Sequence, residues 1–171
     1  MAIDTTEVTE RAVLAVPLER VWDVVSATHR YAEWVDGVLE VTSHHGLAEV
    51  GRVYRERNRT VGPMTTRSCW TVREIDPMRR RVDTATGFDP MYDLTNVFEF
   101  RRLAFDDGSE GIEMTYTVRY RPGLGIVGRV IDRFQQPGLR RAFRTSMRNL
   151  EDLVVAEGTV VPTVHERSTD G

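Results

Sequence analysis

The chain has 171 residues, of which 40% are hydrophobic and 29% charged, with a formal charge of -3. That length can bury a substantial core and leave room for a cavity within one domain, and the charge gives no global attraction to nucleic acid. No stretch approaches the roughly 18 apolar residues of a membrane span, and Met1 to Arg11 carries Asp4, Glu7 and Glu10 without an apolar run, so a cytoplasmic protein is expected.

In chain order, Glu7–Val16 alternates, with Val8, Ala12, Leu14 and Val16 on one face, and reads as a strand. Pro17 cannot continue a ladder but suits the first turn of a helix, and Leu18, Val21, Trp22 and Val25 follow at helical spacing. A second short helix is expected over Arg30–Trp34, with Thr28 as its cap and Gly37 ending it. From Val38 the texture changes. Val38–Ser43, Gly51–Val61, Thr65–Ile75, Arg80–Thr86, Leu94–Phe105 and Ile112–Tyr120 read as strands. The connections are short and turn-rich, among them His45-Gly46, Gly62-Pro63, Asp76-Pro77 and Asp106-Asp107-Gly108, which favours antiparallel pairing. In the last strand Ile112, Met114, Tyr116, Val118 and Tyr120 share one face and Glu113, Thr115, Thr117 and Arg119 the other. One side of it is dry and one wet.

After Pro122 the period is helical again. Val127, Val130, Ile131 and Phe134 form a short stripe, and Leu139, Phe143, Met147, Leu150 and Val154 a longer one. Pro137-Gly138 lies between them, and a break or kink is expected there. Residues 159–171 are polar and aperiodic, which reads as a disordered tail after a single domain over 1–158.

These elements describe an α+β domain: seven antiparallel strands, two short helices after the first, and a long closing helix that covers the dry face of the sheet. A curved sheet wrapped on one helix leaves a gap. Its expected lining comes from Trp70, with Leu94, Asn96, Phe98 and Phe100 of the sixth strand. Met114, Tyr116, Val118 and Tyr120 follow from the seventh, and Val127, Ile131, Phe143 and Met147 from the helix.

Several segments carry a family resemblance. They are Ala15 to Trp22 with Tyr31-Ala32-Glu33-Trp34, Gly51 to Glu56, the Glu74-Ile75-Asp76-Pro77 turn, Tyr116 to Tyr120, and Pro122 through Leu153. Together they resemble the polyketide cyclase/dehydrase-like branch of the START/SRPBCC superfamily over roughly residues 6–157. The resemblance implies the helix-grip fold and an enclosed site for lipids, polyketides or other apolar metabolites. In members that act on polyketides, Arg, Tyr or Asn donors are thought to polarise carbonyls for aldol cyclisation.

The candidates for such chemistry are few. Asn96 sits between Leu94 and Phe98 on an otherwise apolar face, where an unpartnered amide would cost about 1–3 kcal/mol, so a neighbour or a ligand must satisfy it. Tyr116 and Tyr120 present an apolar body and one donor, which suits a pocket wall or ordinary core packing equally. Trp70 can likewise be core or stacking platform. On the third strand Tyr54, Glu56 and Asn58 share the face expected inward, opposite Arg55, Arg57 and Arg59. An inward Glu56 is a base unless an Arg claims it as an ion pair.

Other chemistry is excluded or weak. All 23 basic residues are Arg, so neither a Schiff-base lysine nor a phosphate-loop lysine exists. Cys69 is alone, and His29, His44, His45 and His165 lack the spacing of a metal site. Gly123, Gly125 and Gly128 follow an antiparallel strand and Pro122, which rejects a dinucleotide loop. Arg79-Arg80-Arg81 and the Arg residues of the last helix read as a solvated face. The leading expectation is a protein that binds a small apolar or aromatic molecule, with no cofactor and no metal. The alternatives are a polyketide cyclase/dehydratase using Asn96, Tyr116 and Glu56, and a protein-interaction module.

Overall fold

A computed structural model describes residues 5–59 and 64–159. The sequence of elements is β1 (Thr6–Leu14), α1 (Leu18–Ser26), a 3-10 turn (Thr28–Arg30) running into α2 (Tyr31–Trp34), and β2 (Val38–Ser43). Then follow β3 (Val53–Arg59), β4 (Thr65–Asp76), β5 (Arg80–Thr86), β6 (Met91–Ala104), β7 (Glu110–Pro122) and α3 (Gly125–Thr159). The expected turn at Gly62-Pro63 and residues 160–171 of the expected tail lie outside the described residues.

The seven strands form one antiparallel sheet in the order β1-β7-β6-β5-β4-β3-β2. Five neighbours are sequential, and β1 joins the far edge beside β7, from Thr6↔Tyr120 to Leu14↔Ile112. Register shifts in β2, β4 and β6 bend the ladder, as bulges do, so the sheet curls. The helix-grip α+β fold expected from the sequence is the fold observed.

One end of the grip is solid. Leu14, Val21, Val25 and Ile112 are at most 1% exposed there, and Met114, Met147 and Leu150 are fully buried with them. Phe100 belongs to this end, its ring meeting Trp22 edge-on at 5.9 Å. Pairing fixes where core gives way to cavity. Phe100 lies opposite Met114 in the core, Phe98 lies opposite Tyr116 at the boundary, and Asn96 lies opposite Val118 beyond it.

α3 is continuous from Gly125 to Thr159 with Pro137 inside it, not broken as the sequence suggested. Proline's own φ is helical, so its cost is one missing N–H bond and crowding of the preceding turn, which flanking helix can absorb. Pro137 still marks a change. Beyond it Phe143, Met147, Leu150 and Val154 are buried on the sheet, whereas Val127, Val130, Ile131 and Phe134 before it are exposed. Phe134 is 81% exposed, so the apolar stripe of the first half of the helix is not packed on the sheet, and that half is tied to β1 and β7 through Asp132 instead.

Candidate functional site

Between the sheet, α2 and the first half of α3 lies a cavity of about 790 Å³. Volumes of this order hold small organic ligands. Its apolar walls come from Leu94 and Phe98 of β6, Val118 of β7, Trp70 of β4, and Ile131 and Phe143 of α3, with Tyr31 and Val35 at the α2 end. Phe88 and Pro90 of the β5–β6 connection and Met91 at the start of β6 form one lip, and Gly123 and Leu124 lie beside them. Gly123 donates to the Pro90 carbonyl over 2.7 Å, and a Cβ on Gly123 would come within 2.6 Å of that oxygen. A Cβ on Gly128 would meet the Gly123 carbonyl at 1.6 Å. These glycines are therefore explained by close backbone packing at the rim.

Polar groups gather on the β3–β4 side. The expected inward face of β3 is the buried one: Tyr54, Glu56 and Asn58 are 1%, 2% and 7% exposed. Trp70 Nε1 donates to Glu56 Oε2 over 2.8 Å, and Ser68 Oγ donates to the same oxygen over 3.5 Å. Asn58 Nδ2 in turn donates to Ser68 Oγ over 2.8 Å. Glu56 Oε1 is buried and has no partner among the described residues. Burial pushes the Glu56 carboxyl up to about 8, aided by the negative charge of Asp83 and opposed by the Trp70 and Ser68 hydrogen bonds.

Asn96 and Tyr116 meet across the β6–β7 pair, Asn96 Nδ2 donating to the Tyr116 hydroxyl over 3.4 Å. The amide thus has one long hydrogen bond and remains in the cavity wall. Tyr116 stacks on Phe143 with ring centroids 4.2 Å apart, which locks its hydroxyl in place, and burial holds its pKa above the usual phenolic value. Tyr120 also lines the cavity, and its hydroxyl donates to Asp132 of α3. Thr6 and Gln136 donate to Asp132 as well.

Five of the residues expected at the site lie elsewhere. Phe100, Met114 and Met147 are on the correct face but at the solid end of the grip. Val127 is 63% exposed on the part of α3 whose apolar stripe is not packed on the sheet. Tyr54 lies behind the wall, donating to Asp83 Oδ2 over 2.8 Å.

That contact belongs to a cluster the sequence did not reveal. Arg81 is not on a solvated face: it and Asp83 are both 0% exposed and form an ion pair at 2.7 Å. Arg81 Nη1 donates to the Val25 carbonyl over 2.6 Å, and its guanidinium lies 5.1 Å from the Tyr31 ring and 5.7 Å from the Tyr54 ring. Arg79, two residues earlier, is in solvent with a 79% exposed side chain. An i, i+2 pair of opposite charges on a strand shares a face, which was the available signal. Among the described residues no group of three or more His, Cys, Asp or Glu side chains could hold a metal. Nor is any helix among them long and apolar enough to cross a membrane.

Comparison with known proteins gives a consistent picture. The family model described as "Polyketide cyclase / dehydrase and lipid transport" matches residues 5–155. No curated protein matches the chain. Among solved structures, the chain resembles the Zhui aromatase/cyclase from a Streptomyces species with a TM-score of 0.72 and 12% identity, over 92% of this chain and 98% of that one. A Chromobacterium violaceum protein superposes with a TM-score of 0.64 and 18% identity, over 86% and 96% of the two chains. A putative uncharacterized protein from Rhizobium leguminosarum gives 0.62 and 13%, over 90% and 96%. At these identities the structural likeness speaks for the fold.

Proposed function

This chain belongs to the polyketide cyclase/dehydrase and lipid transport family, and from that premise we propose that it binds a small, predominantly apolar or aromatic molecule inside its cavity. The observation that carries the reading is the cavity itself: about 790 Å³, walled mainly by aromatic and aliphatic side chains, with a few polar groups set among them. This is the composition by which proteins desolvate an oily ligand and fix its orientation. The contacting set is Trp70, Leu94, Phe98, Val118, Ile131 and Phe143 for the apolar body of the ligand. Glu56, Asn96, Tyr116 and Tyr120 supply its hydrogen bonds. Native mass spectrometry of the chain purified from its own host tests this. A co-purifying organic adduct that is lost on denaturation supports it, and a protein that stays at its bare mass with every apolar ligand offered contradicts it.

A second reading is favoured by the Asn96–Tyr116 pair and by Glu56. Aldol cyclisation and dehydration need an oxyanion stabilised by donors and a group that exchanges protons near neutrality. Asn96 and Tyr116 are the donors, and Glu56 is the carboxyl set to exchange. In that case the cavity folds a polyketide-like substrate as well as holding it. An Asn96→Leu variant that keeps its fold and its turnover of a validated substrate would remove Asn96 from this role.

A further inference from the structure

We propose that Glu56 Oε1 is a hydrogen-bond donor that selects ligands whose buried end is a neutral carbonyl acceptor, a ketone or quinone oxygen. This deepens the binding reading above and rests on it. The placement of the proton follows from geometry. Both protein donors to this carboxyl, Trp70 Nε1 and Ser68 Oγ, go to Oε2, which therefore serves as the acceptor oxygen. A proton on the carboxyl then belongs on Oε1, the buried atom without a partner.

Burial and the charge of Asp83 favour that protonated form, and they outweigh the Trp70 and Ser68 hydrogen bonds and the charge of Arg81. From β5, Asp83 disfavours a second negative charge, and it does so more strongly than Arg81 favours one, because Arg81 is already engaged with Asp83. Tyr54 of β3 and Tyr31 of α2 direct their hydroxyls to Asp83, and Tyr116 of β7 is held by Asn96 of β6. On α3, Asp132 is occupied by Tyr120, Thr6 and Gln136. Asp36, Arg59 and Asp89 complete the charged groups in the wall. No cation among these neighbours is directed at Oε1, and a buried donor without an acceptor is a penalty that a ligand carbonyl removes. A hydrocarbon of the same shape leaves the penalty in place. Specificity of this kind comes from a polar group left unpaired by the wrong ligand.

The test compares three probes of one ring system, fluorene, 9-fluorenone and 9-aminofluorene, by equilibrium dialysis against the full chain. At pH 6.5, 9-fluorenone is expected to bind about tenfold more tightly than fluorene, the worth of one well-made buried hydrogen bond. That preference should shrink as pH rises through about 8, where the carboxyl loses its proton. Glu56→Gln, whose amide still donates, should keep the preference and lose its pH dependence, whereas Glu56→Leu should bind fluorene and 9-fluorenone equally. Equal binding of fluorene and 9-fluorenone by the wild-type chain overturns the assignment while leaving the binding reading intact. Tighter binding of 9-aminofluorene that grows with pH also overturns it, since that is the behaviour of a carboxylate counter-ion. Binding of none of the three removes both the assignment and the reading beneath it. Circular dichroism of both variants guards against loss of fold.

Discussion

The indole Nε1 of Trp70 holds Glu56 Oε2 at 2.8 Å from the neighbouring strand, and the other oxygen of that carboxyl is left buried without a partner. A carboxyl in this position reports its protonation through stability. Its folded value of about 8 lies above the ordinary 4.5, so between those limits the folded chain keeps a proton that the unfolded chain has released. Stability is therefore expected to fall as pH rises through that window, with a slope of up to about 1.4 kcal/mol per pH unit, and to level off above it. Glu56→Gln removes this component. Urea denaturation of both proteins at pH 5, 6.5 and 8 checks it: the variant should gain on the wild type as pH rises. Parallel pH profiles would mean that Glu56 ionises normally.

The buried Arg81–Asp83 pair gives a second expectation. Truncating one member leaves the other charge in a dry interior, at a cost of about 3–5 kcal/mol. Arg81→Met should therefore lower the stability read from urea unfolding sharply, and Arg79→Met, which touches only a surface pair, should change that stability by less than about 0.5 kcal/mol. Similar losses for the two would place Arg81 in solvent.

Two phenylalanines on α3 separate the halves of that helix. Phe143, 5% exposed and stacked on Tyr116, should cost about 3–5 kcal/mol when changed to Ala. Phe134, 81% exposed at the mouth, should cost almost nothing in stability. Thermal melts decide between this and a closed α3, in which Phe134→Ala would be as costly as Phe143→Ala.

Asn96→Leu removes one long hydrogen bond to Tyr116 and leaves that hydroxyl stacked beside Phe143. The expected loss of stability is within about 1–2 kcal/mol. Affinity for a carbonyl-bearing ligand should fall more than affinity for a hydrocarbon. Equal losses for the two ligands in equilibrium dialysis would assign Asn96 to the scaffold alone.

Much of the fold was legible in the residues because alternation and helical spacing report which face of an element is dry. β2 and β5 fell on the expected residues, and the inward faces of β3, β6 and β7 followed from period 2. Periodicity does not report depth along the grip, however. Phe98 and Phe100 are indistinguishable by pattern, yet one lines the cavity and the other packs on Trp22 in the core. Only the pairing of β6 with β7 and the seating of α3 fix that boundary. Val127 was misplaced for a related reason: an apolar stripe states what a helix could bury, and the first half of α3 leaves its stripe exposed. Arg81 was hidden inside a run of three arginines in which Arg79 is exposed and Arg80 half-buried. Its partner Asp83, two residues on, was the one local sign that it turns inward.

The central claim is that oily side chains of β6, β7 and α3 surround space that an organic molecule fills. Titration of isotopically labelled protein with fluorene, followed by methyl NMR, tests it most directly. The account predicts saturable shifts at Leu94, Val118, Ile131 and Leu139 around the cavity, with Leu14, Val21, Met114 and Leu150 at the solid end unmoved. Spectra unchanged at saturating probe, or shifts confined to the exposed Val127 and Val130, would contradict it.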